Sequence, residues 1–289
     1  MSGCLPYETI VRARGGRPVP ATFPCLWVAG AIDVLERPVV AIVGTRAATA
    51  YGKRLARTFA AELGRAGCCI ISGLALGIDT EAHLGALEAP APTIGVLGSG
   101  HGTFFPKRNR GLGERIVASG GAVLSPYPPE REAYPSQFLE RNGVVAALSD
   151  AVVVIEAPAR SGALNTAGWA AGRIPVFAVP GDVDRQHVAG CHALIRDGAI
   201  LARCARDVLD DLRLSHVDLY NHRPDRDVES IEDPLKRCLM QALTEGESSL
   251  EDLVTRSKAA PAAVLAALSM LEIEELVDAL PGQRYAMRR

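Results

Sequence analysis

Residues 39–54 read VVAIVGTRAATAYGKR: five apolar residues, a Gly-Thr-Arg turn, and then the start of a helical pattern. An uninterrupted apolar run suits a strand buried on both faces of a parallel sheet. Leu55, Phe59 and Leu63 recur at i, i+4 and i+8 and draw one helical stripe, which Gly67 is placed to end. Strand, glycine turn, helix is a frame on which many proteins hold phosphate. This turn has neither the further glycines of a dinucleotide loop nor the GK[ST] ending of a triphosphate loop. Its distinctive side chain is Arg46.

The same alternation continues. Short apolar runs at 68–71, 93–97, 121–124, 151–155 and 176–179 are separated by helical patterns. Residues 36–212 are therefore predicted to form a doubly wound, mostly parallel α/β domain. Residues 1–35, with CLWVAGAIDVL, are expected to add a cap or an extra edge strand. Residues 213–233 gather charge, proline and asparagine and read as a linker. Within 234–289, helical stretches at 234–244, 248–257 and 260–275 precede PGQRYAMRR, which can return as a hairpin; helix, helix, helix, wing describes a small C-terminal winged-helix domain. Val264, Leu265, Leu268, Leu271 and Leu276 are its expected apolar face.

The 289 residues are 48% hydrophobic and 22% charged, as for a soluble folded chain. No run of about 18 apolar residues offers a membrane span, and MSGCLPYETIVRARGG lacks the apolar core of a signal peptide. Seven cysteines, with no CxxC pair and no regular spacing, suggest neither a disulfide framework nor a zinc site, and fit a reducing cytoplasm. Cys68 and Cys69 read as small core residues. Net charge is −2, but from Val228 onward 7 basic and 11 acidic residues give −4, leaving +2 for the rest.

Ligands of doubly wound sheets bind beyond the carboxyl ends of the strands. The turns there are rich in small residues: Gly44-Thr45 after the first strand, Ser72-Gly73 after the second, Gly98-Ser99-Gly100 after the third, and Ser161-Gly162 after the fifth. Several backbone N–H groups are expected to converge there on one anion, with Arg46 supplying a planar, permanently charged fork. FFPKRNRG (104–111) sets Phe104 and Phe105 beside Lys107, Arg108 and Arg110, with Asn109 among the expected contacts, and YPSQFLERNG (134–143) repeats the theme with Tyr134, Phe138, Arg141 and Asn142. Aromatic beside basic is the chemistry of single-stranded nucleic acid, with bases stacked and phosphates tracked by charge. Asp79 and His83, at i and i+4, are read as a helix cap and a local hydrogen-bonding residue, with no third ligand at metal spacing. No catalytic constellation is evident.

GTR (44–46), SGLALGIDTEAH (72–83), FPKRN, RN (141–142), EAPARSGALNTA (156–167), the GR-PVFAVPG run and GCHALIRDGA (190–199) come in the order and spacing of the DNA-processing protein A family, also called DprA or Smf, which this chain resembles from about residue 24 to 212 and again in LEIEELVDALPGQRY. The resemblance implies an extended Rossmann-type domain that binds single-stranded DNA without hydrolysing anything, uses no cofactor or metal, forms a homodimer through that domain, and loads the RecA recombinase in natural transformation. It implies that Arg46 and Lys107 contact DNA, and that Phe138, Arg141 and Asn142 match part of the family's F-P-x-R-N-R run. The chain departs there: Leu139 replaces the proline and Gly143 the last arginine. Ser125-Pro126 stands where the family usually has Ser-Glu.

The alternative is a phosphoribohydrolase of the lysine-decarboxylase-like type, which carries PGGxGTxxE with a catalytic glutamate. Here the corresponding stretch is SGALNTAGW, with Trp169 where the carboxylate belongs. A nucleotide-sensing regulator is disfavoured by the third helix of the small domain, whose residues 260–275 offer three carboxylates and no base-reading side chain. That domain is expected to contact protein more than DNA.

Overall fold

A computed structural model describes residues 3–6, 9–10, 25–212, 233–244, 248–273, 276–280, 282 and 284–287. The chain divides into two units, residues 1–219 and 220–289. Of the expected linker, only Asp233 lies within the described residues.

The first unit is built on β1 (Gly3–Pro6), β2 (Cys25–Gly30), β3 (Val39–Val43), β4 (Cys69–Ser72), β5 (Thr93–Val96), β6 (Ala122–Ser125), β7 (Ala151–Val154), β8 (Val176–Ala178) and β9 (Ile200–Leu201). They form one sheet in the order β1-β2-β6-β5-β4-β3-β7-β8-β9. From β6 to β9 all neighbours are parallel; β2 runs antiparallel to β6, and β1 to β2. The apolar runs are continuous because alternate residues serve opposite faces. Val40, Ile42, Ile70 and Val153 pack with α1 (Ala50–Arg65), α2 (Ile78–Glu88) and α7 (Ala205–Asp211). Ala41, Val43, Ile71, Val152 and Val154 pack with α4 (Pro135–Ala147), α5 (Gly162–Ala170) and α6 (Ala189–Arg196). The shorter α3 (Arg110–Ala118) closes a satellite cluster around Phe104. Phe59 and Leu63 of α1 are buried, and past its end Gly67 takes φ +88°, a left-handed backbone that glycine adopts without penalty.

One expectation is overturned at the sheet edge. The ladder sets Cys4 opposite Trp27 and Pro6 opposite Cys25, bringing the two cysteines to adjacent strands with Cα atoms 6.1 Å apart, and they are disulfide-bonded. Antiparallel pairing creates that proximity; nothing in the cysteine spacing announced it. Cys68 and Cys69 are core residues, and burial raises both thiols, Cys68 to about 12.

In the second unit α8 (Pro234–Thr244), α9 (Leu250–Ser257) and α10 (Pro261–Ile273) accompany a small sheet of β10 (Ser248–Ser249), β12 (Arg284–Met287) and β11 (Val277–Leu280). α9 begins at Leu250, two residues later than the periodicity predicted, because the Ser249 hydroxyl before it accepts from Asp252 N–H in a capping box. Val264, Leu268 and Leu271 are buried at i, i+4 and i+7, whereas Leu265, rotated off that stripe, stays 41% exposed. Among the described residues no helix is long and apolar enough to cross a membrane.

Candidate nucleic-acid interface

In the sheet order β3 is flanked by β4 on one side and β7 on the other, so the loops after β3 and β7 turn to opposite faces and leave a crevice. A cleft of about 1340 Å³ opens there. Arg46 and Lys107, on loops 61 residues apart by number, line the same cleft, together with Gly44, Thr45, Gly73, Phe105, Phe138, Arg141, Asn142, Ser161 and Gly162. Five basic side chains (Arg46, Lys107, Arg110, Arg141, Arg160) face two acidic ones (Asp79, Glu132) in its lining. Among the described residues Arg46, Lys107, Arg110 and Arg160 enter no ion pair, which leaves a positive field over the cleft.

The first turn is drawn tight from behind. Thr45 N–H donates to the Glu156 carbonyl at 2.7 Å, and the Glu156 carboxylate accepts from Thr49 N–H at 2.9 Å and from the Thr49 hydroxyl. A Cβ at Gly44 would lie 2.5 Å from Ile78, and one at Gly77, which has φ +82°, 2.4 Å from the Thr45 carbonyl oxygen; both glycines serve close approach. Glu156, a carboxylate at a strand end, is thus committed to holding the turn.

Many of the backbone donors expected to converge on an anion have partners within the protein. Thr45 N–H goes to Glu156, Ala47 N–H to the Thr45 hydroxyl, Gly73 and Ala75 N–H to the Asp79 carboxylate, and Gly100 and Gly102 N–H to the carbonyls of Arg131 and Pro129. Buried or half-buried N–H groups must find partners, and here they find them within the protein.

Several predicted site residues fall behind the surface. Ser72 is buried and its hydroxyl donates to the Ile42 carbonyl at 2.7 Å. Asn109 is buried and its amide donates to the Leu74 and Ala75 carbonyls and the Thr80 hydroxyl, tying the loop after β4 to α3. Arg108 is exposed but outside the cleft lining. Arg141 reaches the cleft only as its floor: it is 3% exposed and donates to the carbonyls of Gly73 and Val96. Burial pulls its guanidinium down to about 10, against the attraction of Asp79, so it stays charged at neutral pH. Asp79 is not the helix cap, a position held by Gly77; it sits inside α2 and reaches back to the loop amides.

His83 is likewise structural. Its Nδ1 lies 2.8 Å from the Thr93 hydroxyl, which itself donates to the Ile70 carbonyl, so Nδ1 carries the hydrogen. Nε2 is buried without a partner, and burial, aided by Arg141, holds the imidazole pKa at about 3. A folded pKa below the unfolded one means that the unfolded state binds the extra proton between those values. Stability from His83 is therefore intact above pH about 6.5 and lost as pH falls toward 3. Between pH 6.5 and 4.5 the unfolding free energy should drop with a contribution of roughly 1.4 kcal/mol per pH unit from this residue. Urea melts of His83→Gln across that range should show a slope flatter by about one proton; an unchanged slope would contradict this account.

At the rim, the Phe105 and Phe138 rings lie 5.8 Å apart, tilted by 57°, and the Arg46 guanidinium sits 5.2 Å from the Phe138 centroid. Phe105 is 45% exposed, whereas Phe104 is buried. Charge and aromatic faces are thus contiguous. Arg110, from the aromatic and basic stretch, lines the cleft too, and so does Arg160, whose loop the sequence marks only for its small residues; their place in the lining depends on how two loops fold toward Arg46.

Comparison with known proteins fits this geometry. The model of the family described as DNA recombination-mediator protein A matches residues 17–213, and the DprA winged helix domain matches residues 223–283. Protein Smf of Synechocystis is 36% identical over 312 residues, covering 93% of this chain and 76% of its own. The crystal structure of DNA processing protein A from Streptococcus pneumoniae is 36% identical, with TM-score 0.62 over 72% of this chain and 70% of that one. DNA processing protein A from Helicobacter pylori, whose structure was described for its single-stranded DNA binding mode, is 29% identical, with TM-score 0.62 over 74% of this chain and 96% of that one. The doubly wound sheet with its crevice, joined to a winged helix and matched along most of its length, belongs to a chain of the DNA recombination-mediator protein A family.

Proposed function

We propose that this protein binds single-stranded DNA in the cleft without chemically altering it, and presents the strand to a RecA recombinase as a homodimer joined through the Rossmann-type unit. The observation that carries the reading is the contiguity of Arg46, Phe138 and Phe105 in one cleft with Lys107. Arg46 holds a backbone phosphate through its fork, Phe105 stacks a base, and Lys107, Arg110 and Arg160 continue the phosphate track. The binding mode described for the Helicobacter pylori relative and the recombination-mediator description of the family support it. The carboxylates Asp79 and Glu156 are both held by internal hydrogen bonds, and Trp169 occupies the place of the phosphoribohydrolase glutamate. Fluorescence anisotropy should show the protein binding labelled oligo-dT in preference to duplex of equal length, more weakly as salt rises. Failure to bind oligo-dT, or release of free base from nucleoside monophosphates, would overturn the proposal.

The winged-helix unit is assigned a protein contact. The exposed residues of α10 include Ala262, Leu265, Ala266 and Met270, and its one described charge is Glu272. A helix placed in a major groove needs basic or amide side chains. A fragment from Val228 onward should leave duplex DNA unshifted in a gel at moderate salt; a clear shift would remove this assignment.

A further inference from the structure

Trp169 lies on α5, the helix whose first turns supply Gly162, Ala163 and Thr166 to the cleft lining. It is three residues beyond Thr166, about 4.5 Å along the axis, and outside the lining itself. A Cβ built on Gly143 would come within 3.2 and 3.3 Å of the two indole atoms shared by the fused rings, and 3.6 Å from a third. That near-equal spacing to the two junction atoms places the fused-ring part of the indole against Gly143. A Cβ at 143 would press on the indole and ask it to give by a few tenths of an ångström.

The side chain is nonetheless 37% exposed. Gly143 sits on α4 one turn after Leu139, which lines the cleft at 50% exposure, and directly after Asn142, which also lines it. Asn142 in turn donates to the Gly162 carbonyl at 3.1 Å and to the Asn165 amide oxygen at 3.3 Å. Asn165 precedes Trp169 by one turn, so the α4–α5 seam is pinned in register from the cleft to the indole. An indole packed against a neighbouring helix and still partly exposed can serve as a base-stacking platform, because the ring needs little further ordering when a base arrives.

We propose that Trp169 is an additional base-stacking residue, extending the single-strand track out of the cleft across Leu139 and along the α4–α5 seam. This rests on the single-stranded DNA reading above. Gly143 acts as its positioning residue by leaving room for the indole. The chain then grips the exiting strand through a base face rather than a phosphate, and the contact tolerates any base.

The test uses the chain's two tryptophans, Trp27 and Trp169. In a full-length Trp27→Phe protein the emission reports Trp169 alone, and oligo-dT long enough to leave the cleft should quench it with the same midpoint as binding by anisotropy. Trp169→Ala should weaken such oligo-dT about 5- to 100-fold, with Trp169→Phe keeping most of the affinity. Emission unmoved at saturation, with tight binding intact, would overturn the stacking role and leave the cleft reading standing. An affinity loss in Trp169→Ala that sedimentation traces wholly to dissociation of an assembly would also overturn it. Absence of oligo-dT binding by the unaltered protein would instead defeat the cleft reading itself.

Discussion

Arg46→Ala is expected to lower affinity for oligo-dT by about 10- to 100-fold, the scale of a lost charge-assisted hydrogen bond. Arg46 is exposed and, among the described residues, enters no ion pair, so its removal should leave thermal unfolding where it was. The salt dependence should change too: losing one phosphate contact lowers the slope of log K against log salt by about 0.7 for a single strand. Arg46→Lys separates charge from shape. Lysine restores the slope but not the planar fork, nor the guanidinium over Phe138 at 5.2 Å, and should recover only part of the affinity. Lys107→Ala should act in the same direction with a smaller loss, since lysine binds phosphate as a point charge. Equal binding by Arg46→Ala and the unaltered protein across a salt series would move the DNA site elsewhere.

Arg141→Ala should be the most damaging single change to stability, by about 3–5 kcal/mol, because it strips a buried charge of its partner. The guanidinium links the carbonyls of Gly73 and Val96 and faces Asp79, whose carboxylate burial already pushes above the usual range while Arg141 restrains it. Without the arginine, both carbonyls and the carboxylate are left inside with no cation. Gly73 is part of the arrangement: a Cβ there would lie 2.4 Å from Arg141 Nη1, so the guanidinium occupies what would be side-chain space. Both tryptophans fall in the first unit, so urea unfolding followed by fluorescence reports the affected region. Asp79→Asn in the Arg141→Ala background should recover part of the loss, since an amide oxygen still accepts from Gly73 and Ala75 N–H. A stability within about 1 kcal/mol of the unaltered protein would show that the pair contributes no more than an exposed one.

Both arginines stand in motifs that the sequence marks for DNA contact, Arg46 in the Gly-Thr-Arg turn and Arg141 three residues after Phe138. They differ in the folded chain: Arg46 is outside the loops and free to meet a ligand, whereas Arg141 is beneath them and holds them in place. The segment that sets Phe138 on the cleft rim therefore also supplies part of the scaffold through Arg141, and Asn109 and Ser72 fall on the scaffold side with it. Leu139 and Gly143, the departures from the run, share one face of α4, and that face leads from the cleft to Trp169.

The sequence by itself determined the six central parallel strands: uninterrupted apolar runs and intervening helical stripes are local patterns, each residue's face following from its position in a strand or a turn of helix. It also marked the loops beyond the strand ends, where small and basic residues gather. Only the tertiary structure decided which donors remain for a ligand, because an N–H near a glycine is spent or spared according to partners distant in the chain, as Thr45 is by Glu156. The Cys4–Cys25 pairing, the burial of Arg141 and the indole resting on Gly143 belong to the same class. Each depends on the register in which separate elements meet, a long-range quantity that no local period contains.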